Sequence, residues 1–175
     1  MAVPSGQYRL CVYGAEPYLD PCQWGGALAP NVTSLAAAAI PSSSPLSLQK
    51  GVQLIVRVHD PGGLLAKAET VHGAAVAAHL SSAAVPLLPL PMVSDAVGFR
   101  DYGTYVPFNV PMTVFVSGQS LALTDRAGAA LSPQGIAIQV SPADFQLPPL
   151  YPPSLARMFP RPEAKVVHVY AGGPR

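Results

Sequence analysis

Proline recurs along almost the whole of this chain and limits how long any regular element can be. The sequence has 21 Pro among 175 residues, whereas Pro makes up about 5% of an average protein. Because Pro lacks a backbone N–H and has a fixed φ, it is excluded from helix interiors and from central strands. The chain is therefore predicted to form short extended segments joined by rigid turns, and not long helices.

Alternating apolar and polar residues predict β-strands between the prolines. The clearest segment is 52–58 (VQLIVRV), whose apolar residues share one face: Val52, Leu54, Val56 and Val58. Further strands are predicted at 7–13, 105–117, 119–124, 135–140 and 165–170. The segment 71–80 is ambiguous, because its Ala content favours helix while Gly73 and its short length favour strand, which is the preferred interpretation. About eight short antiparallel strands with turns between them predict an all-β domain over residues 1–175, built as a single jelly roll or β-sandwich.

Turn residues indicate how some of these strands connect. The sequence Pro-Gly-Gly at 61–63 predicts a tight turn after 52–58, so residues 64–70 are predicted to return as the partner strand of a hairpin. Pro recurs every few residues over 85–92, which predicts an extended segment or an edge strand. Residues 95–102 are expected to form a loop.

Two long segments lack a clear period and extend from the predicted sandwich. One is a loop near 27–50 that is rich in Ala, Ser and Pro, and the other is a Pro-rich arm near 141–163. The arm carries too many large apolar side chains to be left in water. We therefore expect it to lie against this protein's own sheet or against a neighbour's.

Low charge is the second feature that bears on function. The chain has a net charge of +1, with 11% charged and 50% hydrophobic residues. Its Lys and Arg residues are scattered, which argues against specific nucleic-acid binding, because that needs a clustered basic face. The chain also shows no spanning apolar run, and the first seven residues predict no secretory signal peptide. A nearly neutral, apolar chain is poorly protected against association, which favours an assembly role.

The residues that usually carry chemistry show no pattern that selects a site. His72 and His79 are seven residues apart, but only Glu69 could complete a metal site with them. Asp95 and Asp101 could pair as in glycoside hydrolysis, yet their spacing does not select them. The sequence therefore predicts no catalytic residue, no metal site, no cofactor and no small-molecule substrate. The protein is not expected to be an enzyme.

The two cysteines leave their pairing open. Cys11 and Cys22 are 11 residues apart, so a disulfide is possible. The favoured interpretation places a half-buried Cys11 in a strand and an unrelated Cys22 in a loop. A zinc site would need further ligands close by, and the sequence pattern indicates none.

The length, composition and strand layout from 7 to 170 resemble a family of viral coat proteins. The chain is similar to the small single-β-barrel major capsid protein of tailless, internal-membrane icosahedral bacteriophages of thermophilic bacteria. This resemblance implies upright barrels packed side by side, a dimeric building block, and location in the virion after synthesis in the host cytoplasm. It also implies contacts with a second, larger capsid protein and with an underlying membrane.

Two other functions fit the same pattern less well. A virion decoration or tail protein would also be β-rich and bind through its arms. A cupin-like or sandwich enzyme or ligand-binding domain would need a polar or metal cluster, which the histidine spacing does not favour.

For an assembly role, the expected contact residues are the large apolar ones of the early loop and the arm, although packing within their own domain is an equal alternative. They are Trp24, Phe145, Leu150, Tyr151, Met158 and Phe159.

Overall fold

The computed structural model describes seven stretches of the chain, and most of the regular structure in them is β-strand. These stretches are residues 6–9, 11–12, 14–24, 32–35, 48–66, 76–145 and 163–174. The strands are β1 Gly6–Arg9, β2 Val32–Leu35, β3 Val52–His59, β4 Val76–Ser82, β5 Leu88–Pro89, β6 Met92–Ala96, β7 Phe99–Val106, β8 Pro111–Gly118, β9 Leu121–Thr124, β10 Ile136–Gln139 and β11 Ala164–Pro174. A short 3-10 helix spans Pro142–Phe145. The predicted all-β class is confirmed.

Two of the sheets form the sandwich. One has the strand order β10-β8-β4-β5, and the other has the order β6-β7-β3-β11-β9, while β1 and β2 form a separate antiparallel pair. β3 and β11 are parallel neighbours, with Ala164 beside Gln53 and Tyr170 beside His59. This pair departs from the wholly antiparallel layout expected from the sequence. The arrangement is a β-sandwich, and its jelly-roll connectivity stays a prediction.

The core lies between the two sheets, and alternation along the strands supplies it. Leu54, Val56 and Val58 of β3 are completely buried, as the alternation of segment 52–58 predicts. Val114 on the facing sheet is equally buried. Burying apolar surface of this kind contributes about 25 cal/mol per Å² and is the main favourable term in folding. The alternation therefore determines which face of each sheet turns inward.

The predicted hairpin partner at 64–70 is wrong where the structure describes it, because residues 64–66 are helical. The buried carboxylate of Asp60 accepts hydrogen bonds from the backbone N–H groups of Leu64 (2.7 Å) and Leu65 (2.8 Å). These bonds satisfy donors that a helix start leaves unpaired, as an N-cap does. Residues 67–70 lie outside the described part of the chain.

Two other strand predictions need correction. The expected loop at 95–102 is a hairpin in which β6 and β7 meet at a turn, with Gly98 at φ +88°. The expected single strand at 105–117 is divided into β7 and β8 by the turn at 107–110, where Asn109 has φ +59°. The segments 76–82 and 88–89 are strands, as expected, and β5 ends its sheet.

The two long segments are described only in part. Residues 32–35 and 48–50 of the early loop are described, as are residues 141–145 and 163 of the arm. Where it begins, the arm forms the 3-10 helix, which packs against the sandwich. No helix in the described residues has the length and apolar character needed to cross a bilayer.

Candidate functional sites

The residues expected to make interface contacts have different surroundings. Trp24 is 1% exposed and packs in the chain's own core, together with Leu19. Phe145 is half-buried and meets the ring of Phe108 edge-on at 5.8 Å between centroids. Both thus pack within their own domain, which was the equal alternative predicted for these residues. Four members of the set lie outside the described residues: Leu150, Tyr151, Met158 and Phe159. The interface role of the set stays a prediction.

An ion pair fastens the beginning of the arm to the last strand. Lys165 of β11 is bonded to the carboxylate of Asp144, which also accepts a hydrogen bond from the backbone N–H of Ser141 at 2.8 Å. The pKa of Asp144 is lowered, first by the Lys165 hydrogen bond and then by the Ser141 bond, with burial opposing them. The arm is therefore attached to the sandwich at its start.

The edge strand β6 is the most exposed strand of the sandwich. All five of its residues are exposed, and it is the terminal strand of the five-stranded sheet. No strand within the described residues pairs with its outer side. Met92 is 55% exposed, Val93 49%, and Val97 in the following turn is fully exposed. Leu87, just before β5 at the edge of the other sheet, is 61% exposed.

Edge strands usually carry features that prevent pairing with other chains, such as Lys, Pro or a bulge. β6 has a bulge between Met92 and Ser94 but no Lys or Pro within its bounds. Its one charged residue, Asp95, is bonded to Arg100 of the neighbouring strand at 2.8 Å. This side of the sandwich thus presents backbone groups and apolar side chains with little charge.

A group of polar and aromatic side chains lies on the outer face of the five-stranded sheet. Nε2 of His59 is 2.9 Å from Nδ1 of His168, and the His59 ring stacks on Tyr170 at 4.5 Å between centroids. Arg57 forms two hydrogen bonds of 2.8 Å to Asp101. Register explains the grouping, because β11 places His168 beside Arg57 and Tyr170 beside His59.

The surroundings of the His59 ring favour its neutral form. The pKa of His59 is lowered, first by burial and then by the charges of His168 and Arg57, while Asp101 partly opposes the shift. Asp101 is held by Arg57, so it does not orient either imidazole as a catalytic relay requires. The group can hold the two strands together through stacking and a shared hydrogen bond.

The two cysteines form a disulfide, so the favoured interpretation of unrelated residues is wrong. Their Cα atoms are 5.1 Å apart. Asp20 explains the approach, because its Oδ1 accepts hydrogen bonds from the N–H of Val12 (3.1 Å) and of Cys22 (2.9 Å). One carboxylate therefore connects the two segments that carry the cysteines.

Asp20 is a potential metal ligand beside the two cysteines that the sequence pattern did not indicate. Within the described residues, one group of at least three His, Cys, Asp or Glu side chains has its ligand atoms within 4.8 Å of one another: Cys11, Asp20 and Cys22. The sequence feature that could have indicated Asp20 is its short spacing from Cys22, because the turn between them brings the two side chains close together. The group borders a cleft of about 440 Å³.

The other candidates from the sequence do not form a site in the described residues. Asp95 and Asp101 are each paired with an arginine, so they are not a free carboxylate pair. His79 lies beside Pro89 at the edge of the four-stranded sheet. His72 and Glu69 lie outside the described residues.

Comparison with known protein families, with curated proteins and with solved structures finds no match to this chain. Function must therefore be argued from the sites themselves.

Proposed function

We propose that this protein is a structural subunit that assembles with copies of itself, and specifically a coat subunit of a viral capsid. The observation that carries the proposal is the exposed, weakly charged edge at β6. A sandwich fold serves many functions, so the exposed edge, and not the fold class, supports this proposal.

Self-pairing is the association that the edge favours. Two copies of β6 related by a two-fold axis can pair antiparallel, because an edge strand offers unpaired N–H and C=O groups in alternation. Such pairing would extend the five-stranded sheet across both copies, a recognised mode of strand addition. Asp95 is already bonded within its own chain, so the contact would bring together little unpaired charge.

The exposed apolar side chains supply a driving force for this contact. Met92, Val93 and Val97 are clustered at one edge, and removing them from water is favourable. The near-neutral net charge of +1 opposes association only weakly. A disulfide-bonded β-sandwich is also consistent with a coat protein, because jelly rolls are frequent in capsids and disulfides persist on virion surfaces.

A charge placed on the edge tests the self-association. In the double variant Val93→Lys, Val97→Lys, like charges would meet across the two-fold axis, so we expect a shift from dimers or larger oligomers to monomers. Size-exclusion chromatography with light scattering measures the mass, and circular dichroism checks the fold. Ala127→Lys, in an exposed turn away from this edge, is the matched control and should assemble like the wild type. A wild-type protein that stays monomeric at high concentration would overturn the proposal.

Electron microscopy tests the coat role separately. Wild-type protein, either concentrated after purification or isolated in its native particle, should form regular arrays or closed shells. The lysine variant should form neither. Dimers that never assemble further would support the edge contact but contradict the coat role.

A further inference from the structure

We propose that Cys11, Asp20 and Cys22 form a binding site for a thiophilic divalent metal ion such as Zn²⁺ when their disulfide is reduced. The site is separate from the β6 edge and does not depend on the assembly proposal. It would make this loop alternate between a covalent and a metal-linked state.

The three side chains match the ligand types and spacing that zinc requires. Zinc binds thiolate sulfur at about 2.3 Å and carboxylate oxygen at about 2.0–2.2 Å, so two sulfurs on one tetrahedral ion lie about 3.8 Å apart. The ligand atoms of Cys11, Asp20 and Cys22 already lie within 4.8 Å of one another. The Cα separation of 5.1 Å between the cysteines allows side-chain rotation to open the sulfurs to that distance.

Asp20 is held in place and keeps one oxygen available. Both of its hydrogen bonds, from the N–H of Val12 and of Cys22, go to Oδ1. In the described part of the chain Oδ2 has no hydrogen-bond partner, so it can serve as a ligand. Backbone N–H groups that orient a carboxylate in this way are typical of the outer shell of metal sites.

The loop is anchored by contacts that do not involve the disulfide. Leu19 and Trp24 are almost completely buried on either side of Asp20. The N–H of Trp24 donates to the carbonyl of Asp20 at 2.9 Å, and the N–H of Leu19 donates to Gln49 at 2.9 Å. Reduction therefore leaves Asp20 and Cys22 near their present positions. The adjoining cleft gives a water molecule access as the fourth ligand.

Reduction breaks the S–S bond and adds two electrons and two protons. A dithiol supplies all of these and becomes a disulfide, whereas a phosphine supplies the two electrons, and a water molecule supplies the two protons and the oxygen of the phosphine oxide. The two thiols then lose two protons to solvent as the metal binds, since the thiolate is the ligand form. A small-molecule disulfide as oxidant would accept the two electrons and take two protons from solvent to become two thiols, so the Cys11–Cys22 bond would re-form and the ion would be released.

Cobalt(II) is the probe for this site, because its thiolate complexes absorb in the near ultraviolet and the visible. The full chain is reduced with a phosphine and titrated with Co²⁺. We expect a sulfur-to-cobalt charge-transfer band that saturates at one ion per chain, and no band in the oxidised protein. Asp20→Asn, which still accepts both N–H bonds, should weaken Co²⁺ binding at least tenfold.

Asp125→Asn is the matched control. Asp125 also accepts two backbone N–H bonds on Oδ1, from Ala127 and Ala129, but it lies in an exposed turn. This variant should bind Co²⁺ like the wild type. Equal weakening in both variants, an unchanged affinity in Asp20→Asn, or no charge-transfer band in the reduced wild type would each overturn the proposal. If reduction alone loosens the loop, Zn²⁺, which does not absorb in the range of tryptophan emission, must restore the Trp24 fluorescence of the folded protein, and failure to do so would also contradict the proposal.

Discussion

At the residue scale, the few charged side chains of the sandwich largely satisfy one another within the chain. Arg57 is bonded to Asp101, and Asp95 to Arg100. Buried or half-buried charges need such partners, because an unpaired charge out of water is costly. Charges used in this way are not available to face a partner, which agrees with an apolar mode of association.

His59 should make stability depend on pH. Its pKa is lowered in the fold, mainly by burial. As pH falls below the ordinary value of 6.5, the unfolded chain therefore binds more protons than the folded chain does. The stability that the neutral ring contributes is therefore complete above about pH 6.5 and is lost as pH falls through the lowered pKa. The groups around it are His168 and Tyr170 of β11, Arg57 of its own strand and Asp101 of β7.

Thermal unfolding measures this effect. The midpoint of the wild type should fall between pH 7.5 and pH 5, and His59→Gln should show a smaller fall. His79→Gln, on the other sheet, is the control and should keep the wild-type dependence. A His59→Gln variant with an unchanged pH response would contradict this explanation.

At the scale of elements, turns determine where the strands lie, and their chemistry is only partly visible in the sequence. The alternation of 52–58 predicted β3 correctly because it is local and strictly periodic. The hairpin from β6 to β7 was missed because its turn needs only Gly98 in a left-handed conformation. The predicted strand after the turn at 61–63 was wrong because the Asp60 carboxylate caps a helical turn there.

Gly135, in the turn just before β10, should strongly resist substitution. It has φ +81°, and an added Cβ would lie 2.6 Å from Thr113 Cγ2 and 2.8 Å from the carbonyl oxygen of Val114. Gly135→Ala therefore combines backbone strain with a clash against β8, and should cost more than about 2 kcal/mol in unfolding free energy.

Gly63→Ala separates the two causes. Gly63 also has a positive φ, +63°, but an added Cβ would meet nothing within 4 Å. It should cost only the conformational penalty of about 1–2 kcal/mol. Urea unfolding compares the two variants, and equal losses would show that the contact with β8 is unimportant.

At the scale of the whole molecule, the pairing of β3 with β11 connects the two parts of the larger sheet. β11 lies between β3 and β9 and places Val169 completely inside the core. Contacts between segments so far apart in sequence form only after much of the chain has been ordered, which slows folding. The last strand is thus a central element of the sheet.

Val169→Ala should lower the unfolding free energy by about 2 kcal/mol, because it removes buried methyl groups and leaves a cavity. Val166→Ala, on the outer face of the same strand, should cost less than about 1 kcal/mol. Urea unfolding followed by circular dichroism and by the fluorescence of Trp24, the chain's single tryptophan, measures both. Coincident transitions would show that the segment around Trp24 unfolds together with the sheets. Equal losses in the two variants would contradict this assignment of faces.

The sequence by itself determined the class of the fold and the inward faces of its clearest strands. Proline spacing and apolar alternation act over a few residues, so both can be recognised without the rest of the chain. The tertiary structure alone decided which distant strands become neighbours, as in the parallel pairing of β3 and β11. It also decided that β6 is left at an edge and that Asp20 meets two cysteines. These features depend on sheet order and loop packing, which involve the whole chain and leave no local periodic pattern.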